Sequence, residues 1–328
     1  MSPLVSVIIP CKDAALWLAE AIQSCLDQTW SAIEVIVVDN GSTDDSVAIA
    51  QAFEDPRVVV THCERAGASA ARNVGLTFAR GDFVQFLDAD DMLHRDKIRL
   101  QLDRLARSPR GTVASGAWTT FRNDPAKAVL MPEPVWRDFA PGEFMICSWL
   151  GGGMMPVFGW LTPRSVIDKA GRWNEELSLD DDGEFFVRVN LASTGVVFCN
   201  GSRGFYRKSE RPRLSSRADP DALASGFKAT KLSSEALLAA CNSPEAVKAC
   251  AYNFQRFIYY AYPAVPDLVR IAERRVQELG GADWKLGGGP ALQVLSACFG
   301  WKVAKRCQFA WKRVLASFHS RYPGSVGR

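Results

Sequence analysis

Phe83-Val84-Gln85-Phe86-Leu87-Asp88-Ala89-Asp90-Asp91 is the segment from which the rest of this chain is best read. An apolar run with strand character stops abruptly at three carboxylates. Acids crowded at the end of a buried strand repel one another and resist leaving water unless a counter-charge is present. A divalent cation supplies such a charge, because hard cations such as magnesium take oxygen ligands. The carboxyl ends of strands are also where open α/β sheets bind ligands. The segment therefore suggests a metal site that holds a phosphorylated substrate. The plainer alternative is a solvated acidic turn that starts a helix at Asp96.

Upstream, strand and helix signals alternate. Val5 to Ile9 is a β-branched run closed by Pro10, and Val35 to Val38 is a second buried strand ending at Asp39. Val58 to Val60 is a third, and Phe83 to Leu87 the fourth. Between them, Ala14 to Asp27 has helical spacing, with Leu18, Ile22, Cys25 and Leu26 on one face, and Ser69 to Ala79 is a helix ended by Gly81. Repeated β-α units of this kind imply a mostly parallel sheet covered on both faces. Three strand ends carry polar groups: Pro10-Cys11-Lys12-Asp13, Asp39-Asn40-Gly41 and Asp88-Ala89-Asp90. A parallel sheet lines them up along one edge.

Downstream the pattern weakens. Prolines at 125, 132, 134, 141 and 156, with Gly151-Gly152-Gly153, read as loops. A helix is expected near Pro163 to Ala170, and a second acidic cluster, Asp180-Asp181-Asp182-Gly183-Glu184, opens another through Leu191. Val196 to Phe198 should be a strand. After Pro220 the signals are helical, over roughly 221–241, 244–261, 267–279 and 291–318.

Composition narrows the class. A hydrophobic fraction of 48% and a charged fraction of 23% are ordinary for a soluble globular chain of 328 residues. The charge is uneven: from Asp219 onward there are 15 Lys and Arg against 8 Asp and Glu, and before it 24 against 28. The nine cysteines show no CxxC spacing, which argues against a zinc ribbon or redox motif and fits reduced thiols in the cytoplasm. No apolar stretch approaches the roughly 20 residues that span a bilayer.

Four segments, taken together, resemble a known family: Val7-Ile8-Ile9-Pro10; Val38-Asp39-Asn40-Gly41-Ser42-Thr43-Asp44; Gly67-Ala68-Ser69-Ala70-Ala71-Arg72-Asn73; and Phe86-Leu87-Asp88-Ala89-Asp90-Asp91. In order and spacing they are similar to the family 2 glycosyltransferases, over about residues 4–215. The resemblance implies a GT-A fold, a Rossmann-like, mostly parallel sheet flanked by helices. It divides the chain into a catalytic domain over 1–218, with a nucleotide-binding half (1–120) and an acceptor half (121–218), and a helical C-terminal region over 219–328. It implies that Asp39 accepts a hydrogen bond from the uracil of a UDP-sugar, with Pro10 and Lys12 lining the base pocket. Arg72 would reach the nucleotide, Asp88 the ribose, and Asp90 would coordinate Mg2+ or Mn2+ on the diphosphate. Relatives carry an acidic pair, a further acid and an Arg beside the acceptor; Asp181, Asp182, Glu184 and Arg188 match it, with Asp182 at the base position. Many relatives also carry a His near Ser209 that is missing here, which leaves Arg207, Lys208 or Arg211 to meet the phosphates.

The expected activity is inverting transfer of a sugar to a saccharide or lipid-linked hydroxyl, in cell-surface polysaccharide or glycan synthesis. Trp160 and Trp173 flank the second acidic cluster, as sugar platforms or as core residues. Trp301 to Arg313 is basic, aromatic and free of acids, suited either to an anionic membrane surface or to a packed helix with a solvated basic face. No nucleic-acid-binding module is present in the pattern. Two rival readings are nucleotidyl transfer, which would want a glycine-rich loop after the first strand, and a catalytically silent nucleotide-sugar subunit.

Overall fold

The computed structural model describes residues 2–209, 217–283 and 289–321, with side chains through 311. The chain opens with β1 (Val5–Cys11), α1 (Leu18–Leu26), β2 (Ile33–Asp39), α2 (Ser46–Gln51), β3 (Val58–His62), α3 (Ala68–Phe78) and β4 (Phe83–Phe86). It continues through β5 (Met92–Leu93), α4 (Lys97–Leu105), β6 (Val113–Phe121), α5 (Glu143–Cys147), β7 (Thr162–Pro163), α6 (Arg164–Ala170), α7 (Asp181–Ala192) and β8 (Val196–Arg207). Five helices follow: α8 (Pro220–Ala240), α9 (Pro244–Ala261), α10 (Pro266–Glu278), α11 (Pro290–Phe299) and α12 (Trp301–Arg321).

The main sheet has the order β3-β2-β1-β4-β7. All its pairings are parallel except that of β7 with β4. The order of connection reverses between β1 and β4, the kind of point at which open α/β sheets bind ligands beyond the strand ends. Pro10 fits in this central strand because β1 pairs with β4 only as far as Ile8 and Phe86, so its missing N–H interrupts no ladder bond on that side. A second sheet has the order β5-β8-β6.

Alternation on β1 and β2 builds two cores. Ile8, Ile36 and Val38 face α3 and the aromatic cluster of Trp160, Trp173, Phe185 and Phe186. Val7, Ile9, Val35 and Val37 face α1, through Leu18, Ile22 and Cys25. Gly75 lets α3 lie close on the sheet, since a side chain there would collide with Ile8 and Val38.

Several details differ from the sequence reading. β6 is a nine-residue strand that its Ser-Gly-Ala-Trp-Thr-Thr composition concealed, and β8 runs for twelve residues, well beyond Phe198. The last predicted helix is broken at Gly300, whose φ of 81° is available to glycine at little cost, giving α11 and α12. The boundary at 218/219 marks a change of secondary structure, while the core runs across it: Leu237, Ala246, Ala249 and Cys250 of α8 and α9 join the aromatic cluster.

Trp160 and Trp173 are both 2% exposed, so the platform reading is corrected in favour of core. Trp160 stacks on Phe186 and Trp173 on Phe185, with ring centroids 5.2 Å and 4.0 Å apart. A ring enclosed in this way has no face for a sugar. Trp160→Ala should therefore lower unfolding stability by about 3–5 kcal/mol in a urea titration. Unchanged stability would contradict the packing.

Candidate functional site

The site begins with two stitched loops. After β1 and β2 the chain turns, and Asp13 Oδ1 accepts from Thr43 N (2.7 Å), while Ser42 Oγ and Ser46 Oγ accept from the backbone of Asp13 and Ala14. This fastens the loop of Pro10 and Lys12 to the loop of Asp39. The Asp39 carboxylate is buried, accepts from Gly41 N (3.2 Å) and Ser42 N (3.1 Å), and lies 3.2 Å from His62 Nδ1. It is thus a turn-capping residue. That role leaves room for a ligand, because a carboxylate offers about four lone-pair sites. Asn40 then holds the segment before α3, donating to Cys63 O and Arg65 O and accepting from Gly67 N.

Arg72 occupies the centre. It projects from α3, and its side chain is 5% exposed. One guanidinium nitrogen donates to Asp88 Oδ1 (2.8 Å) and the other to Asp181 Oδ2 (3.0 Å). The guanidinium carbon lies 4.4 Å from the Trp173 ring centroid. Burial opposes its charge, yet Asp88, Asp181 and Asp182 outweigh burial and hold its pKa above the ordinary value. Ser69 Oγ adds a 2.6 Å bond to Asp181. The strand-end acid and the second acidic cluster, 93 residues apart in sequence, are therefore neighbours across one guanidinium.

Asp182 sits beside this pair at the N-terminus of α7, its Oδ1 accepting from Gly183 N at 2.9 Å. Desolvation, then the charges of Asp181 and Asp180, push its carboxyl up to about 7, against the opposing pull of Arg72. Asp180, the N-cap, adopts a left-handed conformation with φ of 59°. Gly183 lies close opposite it: a Cβ there would meet Asp180 Oδ1 at 2.6 Å, so the Asp180 carboxylate would have to move. The C-terminal region braces this loop: Ser225 Oγ of α8 accepts from Ser178 N (2.7 Å) and Leu179 N (3.2 Å), and Arg256 of α9 lies 3.9 Å from Asp180.

Glu184 and Arg188, the acid and the Arg that follow Asp182 on α7, are each other's partners. They form a two-pronged ion pair with each other (2.7 and 2.8 Å), and Arg188 also donates to Ala170 O at the end of α6. That pairing fixes α7 against the end of α6. Arg207 is also corrected. It is 6% exposed, donating from its backbone to Asp91 Oδ1 and from its side chain to Asp90 O and Glu20. It straps down the acidic loop from beneath and is too enclosed to meet a phosphate. Lys208 is exposed, and Arg211 lies outside the described residues.

Sequence reasoning missed the supports. Lys97 is fully buried under the loop, donating to Gln85 Oε1 (2.5 Å) and Gln101 Oε1 (2.7 Å), and burial drives its ammonium down to about 7. Asn73 ties Trp173 to α3 through both its amide atoms. Only Asn73, as part of a quoted motif, left a signal in the sequence.

The donor set can be compared with what a cation needs. Among the described residues, no three His, Cys, Asp or Glu side chains group to hold a metal ion. A hard cation here would take one or two carboxylates and complete its shell from a ligand. Magnesium is commonly held in that way with substrate phosphates.

Comparison with known proteins gives a consistent result. The sequence profile of Glycosyl transferase family 2 matches residues 6–161. Glycosyltransferase GlyG of Streptococcus pneumoniae is 41% identical over 219 residues, which cover 63% of this chain and 72% of that protein. An uncharacterized glycosyltransferase of Haemophilus influenzae is 42% identical over 104 residues, 31% of this chain and 42% of that protein, so the chain matches less than half of that relative's length. The crystal structure of S. aureus TarS 1-349 in complex with UDP-GlcNAc superposes with a TM-score of 0.60 at 17% identity, over 84% of this chain and 89% of that chain. The complex of the same TarS fragment with UDP gives 0.58 at 16% identity. At such identities the likeness speaks for the GT-A-like fold alone. The profile starts inside β1 and ends at the edge of β7, and with GlyG matched over most of its length, the chain belongs to glycosyltransferase family 2.

Proposed function

We propose that the protein transfers a sugar, with inversion, from a nucleotide diphosphate, a UDP-sugar by preference, to a hydroxyl of a saccharide or lipid-linked acceptor. The reading extends to cell-surface polysaccharide or glycan synthesis on the cytoplasmic side. One observation carries it: Arg72 holds Asp88 and Asp181 together, which brings the strand-end acid and the segment of the base candidate Asp182 to one place. Donor and acceptor chemistry need that proximity.

The roles follow from position. Asp39, with Pro10 and Lys12 on the adjoining loop, meets the base; a carboxylate accepts from the uracil N–H and has no equivalent match on an adenine edge. Asp88 serves the ribose and Arg72 steadies the nucleotide end. Asp90 holds Mg2+ or Mn2+, which as a Lewis acid would stabilise the charge developing on the departing diphosphate. On the other side, Asp182 accepts the proton of the attacking hydroxyl. The new oxygen–carbon bond forms at the anomeric centre as the bond to the phosphate oxygen breaks on the opposite face. A carboxylate with a pKa near the working pH is a stronger base than an exposed Asp. TarS is described in complex with UDP and with UDP-GlcNAc, which supports the choice of a uridine donor for a chain of this fold.

The direct test is release of UDP from UDP-sugars with candidate acceptors. Asp182→Asn should lower turnover by at least about a hundredfold while leaving UDP affinity in calorimetry nearly unchanged. Retained turnover would move the base to Asp181. Asp90→Ala, or addition of EDTA, should abolish transfer without unfolding the protein, and full activity in EDTA would overturn the metal role. The titration of Asp182 has a stability signature of its own. Its folded pKa of about 7 lies above the unfolded value, so the folded state holds the extra proton and loses stability as pH rises from about 4 through 7. Asp182→Asn removes that loss. Its melting temperature should exceed that of the native protein at about pH 8, with the gap closing toward about pH 4.

A further inference from the structure

We infer that α11 and α12 form a docking element for an anionic lipid bilayer. This goes beyond the transfer reaction and stands or falls separately from it. α11 is an apolar helix, Pro-Ala-Leu-Gln-Val-Leu-Ser-Ala-Cys-Phe, yet it contains no buried residue. Val294 and Phe299 are 62% and 66% exposed. Across the Gly300 break, α12 buries Ala304 among its described side chains and leaves Val303 and Trp311 exposed, Trp311 by 64%. Helices with such apolar surface ordinarily bury it against a partner.

The charge identifies that partner. Between 290 and 321 there are six Lys and Arg and no Asp or Glu. Two copies of this hairpin would bring like charges together, which disfavours a second chain as the cover. An anionic bilayer matches both features, taking the aromatic and aliphatic side chains at the headgroup boundary and the cations at the phosphates. No helix among the described residues is long and apolar enough to cross a membrane, so the contact would be with the surface. The hairpin is anchored to the rest of the molecule at one end. Trp301 packs edge-on against Tyr259 and Tyr262, and Lys302 pairs with Glu273 at 2.7 Å. The anchoring leaves Val294, Phe299 and Trp311 facing outward.

The test is co-sedimentation of the full chain with phosphatidylcholine vesicles, with and without phosphatidylglycerol, at low and high salt. Binding should require the anionic lipid and weaken as salt rises. The double variant Lys312→Gln, Arg313→Gln, which leaves the anchoring residues Trp301, Lys302 and Arg306 in place, should bind anionic vesicles at least about tenfold more weakly, and so should Phe299→Ser with Trp311→Ser. Melting curves check that the variants fold; should either fail to fold, the lipid and salt dependence of the native chain decides alone. Absence of binding to anionic vesicles, or equal binding to neutral ones, overturns the proposal. So does a dimer in solution that Phe299→Ser with Trp311→Ser dissociates while vesicle binding is absent, which would assign the face to a second copy.

Discussion

The buried guanidinium of Arg72 is the constraint around which this molecule is arranged. A cation removed from water needs opposite charge at close range, and here it comes from Asp88 and Asp181 on separate elements. Neither acid is fully buried, at 36% and 18% side-chain exposure, so both stay open to a ligand while sharing one fixed partner. Removing the cation would leave the acids repelling one another. The pairing therefore sets the spacing of the two acids and the charge balance around them. Asp182, adjacent to this group but without its own cation, is left with the raised pKa.

Below this layer the structure supplies stiffness. Arg207 reaches from β8 under the acidic loop to Glu20 of α1, and Lys97 spans Gln85 of β4 and Gln101 of α4. The aromatic cluster does the same on the other side, where Trp173 stacks on Phe185 and carries the Arg72 guanidinium on its ring. Site and core are thus one body: the helix that presents Asp181 and Asp182 also contributes Phe185 and Phe186 to the packing. Ser225 and Arg256 extend this to the C-terminal helices, which support the loop before Asp182. The helical region is therefore part of how the loop leading into Asp181 and Asp182 is positioned.

Much of this was legible from the chain itself. β-branched runs ending in polar residues are enough to place β1, β2 and β4, because a doubly covered parallel strand must be apolar and its end need not be. Asp39, Asp88 and Asp90 are singled out by that rule, and Arg72 and Asp182 by family resemblance. What the chain alone could not decide is which side chains meet. That Glu184 and Arg188 pair with each other one helical turn apart, and that Arg188 also reaches Ala170 O, is visible only in the packed chain. Trp160 and Trp173 looked equally suited to sugar or core until their neighbours were known. Arg207 looked like a phosphate ligand until it was seen enclosed. Local sequence determines strands, turns and helix ends, since these depend on near neighbours along the chain. The juxtaposition of Arg72 with Asp181, across 109 residues, and the burial of each ring depend on how separate elements pack, and the tertiary structure alone decided them.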